Sequence, residues 1–413
     1  MSQPSNLQSC LFASESSFGE VSTSFGSRLP VISPVSFEGL GQDMIAVDSV
    51  SQHQNDGGHH MRGPQDAATF TIDLYLCGHG TATTGSVTAT VIETFLSGCI
   101  GTHLVSNDGG TITSTGDADT FTTTNATITP GTLIRVGSLN DAKGNGQFLS
   151  VLSQDTNVVE LSTAMDGTGA TSDVVYAPCN IFPYENPTSG TTPTSFRFLI
   201  QTANQRYQMF GCVCTGIDIS GLNPGEIPTV SVTMAAARWS VETGSTFPTT
   251  TTQLSHVPSP VAAGSCFFQT FGTTTRSKLT VREFALSIEM NTVLLRGPGA
   301  TDAFQTIVGA RRTMCRASCD VTLSAEATGT TTLETIWNTA EGSQVFKHLL
   351  YTASAGRDGA SLGLYLRKCH MVSSRPVQHD LEGINSQRFS LRSLPDTGRS
   401  TDVHKANFIL AMG

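Results

Sequence analysis

Charge and aromatic surface are both scarce in this chain of 413 residues, with charged side chains at 14% and aromatic ones at 7%. Lysine and arginine together number 23 against 33 aspartates and glutamates, a formal net charge of −10 at pH 7. A module that holds nucleic acid needs a basic stripe to neutralise phosphates, and so few cations speak against that class. They leave open DNA as a passing cargo, because an acidic surface repels phosphate and lets it slide. No apolar run approaches the length that crosses a membrane, so no membrane insertion is expected. The stretch Met1–Gly19 is polar and small, without a basic segment followed by an apolar one, and predicts no secretory signal. The ten cysteines are then expected as reduced thiols in a cytoplasm, since a chain of this length needs no disulfide staples.

The motifs of common chemistries are missing as well. No Gly-x-Ser-x-Gly elbow, no Gly-x-x-x-x-Gly-Lys-(Ser/Thr) loop and no dinucleotide loop occurs. Cys212-x-Cys214 and Cys315-x-x-x-Cys319 have metal-like spacing, but zinc wants a second matched pair or histidines. The spacing puts Cys212 and Cys214 on one strand face, where small thiols pack well; a disulfide or metal role is the alternative. His59-His60 follows a Gly-rich loop with no third ligand and reads as solvated or inter-subunit. Asn140–Gly146 has the oxygens and glycines of a calcium loop but only Asp141 as an acid, and reads as a tight hairpin turn. Arg311, Arg312 and Arg316 form a small basic cluster, read as an ion-pair face rather than a DNA site. No enzyme activity, catalytic residue, metal or cofactor is expected.

What is abundant is Gly, Thr and Ser, the vocabulary of short strands and turns, and the length suits two or three domains. The fold class expected is all-β, with one short helix per repeat. In Thr69–Cys77, Phe70, Ile72, Leu74 and Leu76 alternate with Thr69, Thr71, Asp73 and Tyr75, the period of a half-buried strand. Ser86–Cys99 carries apolar residues every three or four positions and predicts a helix stopped near Gly98. The pattern returns in Arg316–Ala325, where Cys319, Val321 and Leu323 alternate and Asp320 falls on Asp73; a second helix is predicted over Thr332–Lys347. Long polar loops, 39–65 and 291–312, precede the two strands, and before each loop lies a further strand, Val31–Phe37 and Leu279–Met290. The closing strands are expected at Ser195–Gln201, Tyr207–Ile219 and Pro228–Ala236, then at Ser361–Lys368, near Val372–Gly383, and at Ala406–Met412. This amounts to an internal duplication.

Residues 104–176 interrupt it with short strand candidates at Thr120–Thr124, Thr132–Gly137, Gln147–Ser153 and Val158–Thr163, a small barrel or sandwich set into a loop. The domain plan is residues 1–104 and 179–245 for the first unit, 105–178 for the inserted β-module, 246–270 for a linker and 271–413 for the second unit. An insertion of this kind is expected to project outward without disturbing its host.

Three stretches resemble the tail tube proteins of long-tailed bacteriophages, in the larger variety with an inserted module. They are Glu15-Ser16-Ser17-Phe18-Gly19, the segment Gly131–Ser162, and Tyr207–Met234 with its Gly-Cys strand and Pro-Gly turn. The resemblance implies tandem tail-tube-type β-sandwich domains whose inner strands join across subunits into a barrel around a channel. Six domains make a ring, from a trimer of two-domain chains or a hexamer, and rings stack into a tube for genome delivery. It implies a virion location after assembly in the bacterial host cytoplasm. The partners implied are further copies of the chain, tape-measure, tail terminator and baseplate proteins, and DNA in transit. Asp73, Asp320 and Asp218 are the candidates for channel-facing acids. The alternatives are another virion role (baseplate ring, tail terminator or capsid decoration) and a carbohydrate-binding β-protein, the latter disfavoured by only two Trp and six Tyr for sugar stacking.

Overall fold

The computed structural model describes residues 9–21, 25–40, 42–47, 59–65, 67–78, 89–105, 110–115, 119–124, 128–137, 147–162, 174–176, 178–183, 192–201, 205–243, 260–261, 263–272, 278–279, 281–297, 307–323, 346–354, 361–372, 377–381, 384–395 and 402–413. It is nearly all β. The first half opens with β1 (Ser9–Ser14), β2 (Ser27–Leu29), β3 (Ser36–Glu38), β4 (Gln42–Val47), β5 (His59–Gln65) and β6 (Ala68–Tyr75). Helix α1 (Val91–Ile100) leads into β7 (Thr102–Val105). The inserted module holds β8 (Gly110–Thr115), β9 (Thr120–Thr123), β10 (Leu133–Gly137), β11 (Gln147–Asp155), β12 (Val158–Leu161) and β13 (Val174–Tyr176). The chain returns through β14 (Cys179–Phe182), β15 (Phe196–Gln201), β16 (Gln205–Ser220), β17 (Thr229–Ala236) and β18 (Arg238–Thr243). The second half comprises β19 (Ala263–Thr270), β20 (Lys278–Leu279), β21 (Val281–Arg296), β22 (Ile307–Leu323), β23 (Lys347–Ser354), β24 (Ser361–Met371), β25 (Val377–Leu381), β26 (Ile384–Ser393), α2 (Asp402–Lys405) and β27 (Ile409–Met412).

The two halves have one topology. In the first, β2–β1–β15–β16–β18 forms an outer sheet and β3–β6–β17–β16 an inner one. In the second, β20–β19–β23–β24–β27 and β21–β22–β26–β24 repeat those pairings strand for strand. In each half one long strand, β16 or β24, leaves the outer sheet and enters the inner one. On β16 that departure falls at Gly211, whose φ of +60° favours glycine and where a Cβ would lie 2.9 Å from that of Ala237. The alternation read in Thr69–Cys77 is observed: Phe70, Ile72 and Leu74 are buried and Thr69, Thr71, Asp73 and Tyr75 are not.

Several expectations are corrected. In the polar stretches 39–65 and 291–312 the described residues include hairpin arms, β4 against β5 and the outer parts of β21 and β22. Apolar and polar residues do not alternate along these arms, so the backbone ladder leaves no period-two pattern in the sequence. Helix α1 runs through Gly98 and ends at Ile100, with Gly101 donating to the Ser97 carbonyl. Gly98 is there for close approach: a Cβ on it would lie 2.4 Å from Cζ of Phe196. The helix starts at a capping box, in which Glu93 N–H donates to Thr90 Oγ1 and Thr90 N–H to Glu93 Oε2. The second predicted helix, Thr332–Lys347, lies outside the described residues except for its end, where Phe346 is non-helical and Lys347 opens β23. The counterparts of β15, β16, β17 and β18 are β23, β24, β26 and β27, one strand earlier than the pattern suggested. Strand β19 occupies residues 263–270, within the stretch read as linker.

The inserted module is a closed six-stranded barrel, β10-β11-β12-β9-β8-β13, with a core of its own around Phe121, Ile134, Val136, Leu149 and Val159. It does not merely project. Leu133 and Phe148 enter a second cluster with Phe267, Leu350, Tyr365 and Ile409 of the second half. The Phe148 ring lies where Gly363 has no Cβ, 2.9 Å from the position one would take. Asn180 on β14 ties the barrel down: its Oδ1 accepts from Leu133 N–H at 2.8 Å and its Nδ2 donates to the Leu133 carbonyl at 3.0 Å.

Candidate assembly surface

The inner sheets of the two halves are joined. Gly216–Ile219 of β16 pairs antiparallel with Leu286–Glu289 of β21, making one sheet in the order β3–β6–β17–β16–β21–β22–β26–β24. This sheet curls into a half-barrel. One face is packed on the main core through Ile72, Val230, Val232, Ile217, Ile288, Val321 and Leu391. The opposite face is polar. A single row crosses it by direct pairing, Asp73, Ser231, Asp218, Ser287, Ser318, Arg392 and His370. Directly opposed residues share a face, so none of these side chains faces the main core.

The duplication reaches individual bonds on this face. Asp73 accepts the hydroxyl of Ser231 at 2.6 Å, and Asp320, at the equivalent place, accepts that of Ser390 at 2.5 Å. Asp73 also accepts from Ser33 at 2.5 Å, and Asp320 from Arg388 Nη2 at 2.6 Å. Burial works against the charged form of Asp320, but Ser390 and Arg388 outweigh it and hold the carboxyl below its ordinary value. Glu289 is paired with Arg392 at 3.3 Å. Asp73, Asp218 and Asp320 therefore share one face of one sheet, the first two in the half where no guanidinium is bonded to them among the described residues. The second half is charge-compensated by Arg388 and Arg392, a feature that acid positions alone did not disclose.

A buried guanidinium fastens the joint. Arg312 of β22 donates through Nη1 to the Ile100 carbonyl at the end of α1, at 2.9 Å, and through Nη2 to the Cys214 carbonyl at 3.4 Å. Its Nε donates to Thr292 Oγ1 at 3.3 Å. The basic cluster Arg311, Arg312 and Arg316 is thus split: Arg312 is buried, Arg311 exposed, and Arg316 stands opposite Glu289 on the polar face. Its pairing with a helix end in the other half left no trace in local sequence. Tyr351 makes a comparable tie, its hydroxyl donating to the Leu222 carbonyl across the halves.

The cysteine motifs resolve into core. Cys212 and Cys214 are both buried in the main cluster, as is Cys319, while Cys315 is half-buried at its edge. Burial pushes the Cys10 and Cys266 thiols up to about 12. All ten cysteines are free thiols. Among the described residues, no group of three His, Cys, Asp or Glu is placed to hold a metal ion, and no helix is long and apolar enough to cross a membrane. His59 and His60 open β5, opposite Val47 and Ala46, and Asn140–Gly146 lies outside the described residues.

Two of the stretches that carry the family likeness meet in space. The Glu15–Gly19 turn lies on β16 at Gly211, with the Phe18 ring 3.1 Å from the place a Gly211 Cβ would take. No protein-family model matches the chain, and no curated protein matches it in sequence.

Proposed function

We propose that the chain is a structural, self-assembling subunit of a bacteriophage tail tube, in which copies associate side by side into rings and rings stack around a channel for DNA. The observation that carries this reading is the joint between β16 and β21. Two copies of one unit lie side by side, share a sheet and curl it, which is the geometry that repetition converts into a closed ring. Three two-unit chains supply six units per ring. Closure removes the sheet edges that invite uncontrolled aggregation.

In this reading the polar face lines the channel. Asp73 and Asp218, with the serine and threonine hydroxyls around them, keep phosphates from adhering, and the Asp320–Arg388 and Glu289–Arg392 pairs leave little net cation to hold them. The chain needs no metal, cofactor or catalytic residue for this. Its partners are its own copies, a tape-measure protein, a tail terminator and a baseplate, with assembly in the bacterial cytoplasm and residence in the virion tail.

Negative-stain electron microscopy of the purified protein and of particles containing it tests the reading. The expected result is rings or stacked tubes with a central hole wide enough for a duplex, and three chains per ring. Monomers at every concentration, or a scarce protein confined to a tail tip, overturn it.

A further inference from the structure

We infer that the joint inside the chain is the template for the joint between chains, and that it fixes the register: His370, Met371 and Val372 of one copy pair antiparallel with Glu38, Phe37 and Ser36 of a second copy. This rests on the ring-forming reading and names the surface that executes it.

The register follows from three equivalences. Asp73 and Asp320 correspond through their serines, so Ser231 corresponds to Ser390 and Thr71 to Ser318. Ser36 is opposite Thr71 and Ser287 opposite Ser318, so Ser36 corresponds to Ser287, Phe37 to Ile288 and Glu38 to Glu289. Asp218 is opposite Ser231, and Val372 N–H donates to the Ser390 carbonyl at 2.9 Å, so Asp218 corresponds to Val372 and Ile217 to Met371. Within the chain Asp218 pairs with Ser287 and Ile217 with Ile288. Carried to the outer edges, that pairing sets Val372 against Ser36 and Met371 against Phe37.

The two edges have the properties the template demands. Among the described residues, β3 pairs only with β6, and His370 and Met371 only with β26. Ile217 and Ile288, paired inside the chain, are each 1% exposed, whereas Met371 and Phe37 are only half-buried, each packed against the main core. Val372 is 55% exposed. Pairing the edges completes the burial of Met371 and Phe37. It also brings exposed Glu38 beside His370 in the row that holds Arg392, a charge match that favours the second copy as occupant.

Because Val372 directs its N–H to β26, its backbone groups are turned away from the neighbouring copy, and the 372–36 pair is of the non-hydrogen-bonded kind with close Cβ atoms. Such a pair is suited to a disulfide. The test is the full chain carrying Ser36→Cys and Val372→Cys, oxidised with a mild thiol oxidant and run on a non-reducing gel beside wild type, each single variant, and the register control Glu38→Cys with Val372→Cys. The expected result is a ladder of cross-linked multimers ending at the ring's copy number in the first variant, and its loss in all others. A mixture of the two single variants should give a cross-linked dimer and nothing larger, which establishes that the bond is between chains. Rings seen by microscopy without this cross-link overturn the pairing and leave the ring-forming reading intact; chains that never assemble overturn both.

Discussion

The Glu15 carboxylate accepts the Gly211 N–H at 2.8 Å and the Gly19 N–H at 2.9 Å, so one side chain closes its own turn and clamps it to the place where β16 leaves the outer sheet. Burial pushes this carboxyl above its ordinary 4.5, against the pull of Gly211, Ser195, Gly19 and Arg197. The native state therefore holds the Glu15 proton more tightly than the unfolded chain does. Its contribution is full below the ordinary value and declines as pH rises through the raised one. Glu15→Gln keeps an acceptor and abolishes that slope, whereas Glu15→Ala strands two N–H groups and costs about 1–3 kcal/mol. Urea unfolding of the three proteins across the acid-to-neutral range reads both effects.

His348 gives the opposite slope. Desolvation, followed by the charge of Arg367, pushes its pKa down from 6.5 to about 3. Its neutral form belongs to the native state, so its share of stability is full above 6.5 and is lost as pH falls toward 3. His348→Phe should flatten acid unfolding in that window, measured by the pH dependence of the urea midpoint. An unchanged profile would show that His348 is not buried as described.

Gly98→Ala should destabilise the chain although alanine is the better helix former by about 1 kcal/mol. The new methyl meets the Phe196 ring, which is itself held by Phe12, Phe95 and Phe198 and cannot yield. A net cost of about 1–3 kcal/mol is expected for overpacking of this kind. Denaturant titration decides; a gain in stability would mean that the ring moves freely.

Asn180→Ala should loosen the inserted barrel from its host while sparing the barrel itself. The buried Leu133 N–H and carbonyl lose their partner, at a cost of about 1–3 kcal/mol. Hydrogen exchange is expected to rise at Leu133 and β14 but not at β12, whose Val159 and Leu161 belong to the barrel's own core. Clean deletion of residues 110–176 is a harsher change, since it uncovers Phe267, Leu350 and Tyr365.

Sequence pattern served where one face of a strand is buried and the other wet. Strands β6 and β22 were legible for that reason, and with them the alignment of Asp73 on Asp320. It misled where that contrast vanishes. Along the outer parts of β21 and β22, Ile307, Ala310 and Arg312 are buried while Val293, Leu295 and Val308 are exposed, so apolar and polar residues do not alternate and the stretch reads as loop. Strand β24 is buried on both faces from Ser361 to Arg367, and β23 nearly so, because Leu133 and Phe148 of the inserted barrel and Phe182 of β14 pack on what would have been a solvent face. Strand β1, with Cys10, Leu11 and Phe12 all buried, is not legible in the sequence, because polar surroundings hide its three-residue apolar core.

The sequence by itself determined the all-β class, the duplicated alternation, the place of the inserted module and the apolar role of the paired cysteines, since each is written in spacing along one strand. Tertiary structure alone decided which strands are neighbours. A period of two tells which way a side chain points and nothing about the edge its strand will meet, so the β16–β21 joint, the Arg312 tie to the end of α1, the docking of the barrel on Gly363 and the two open edges are decided only by pairing between distant segments.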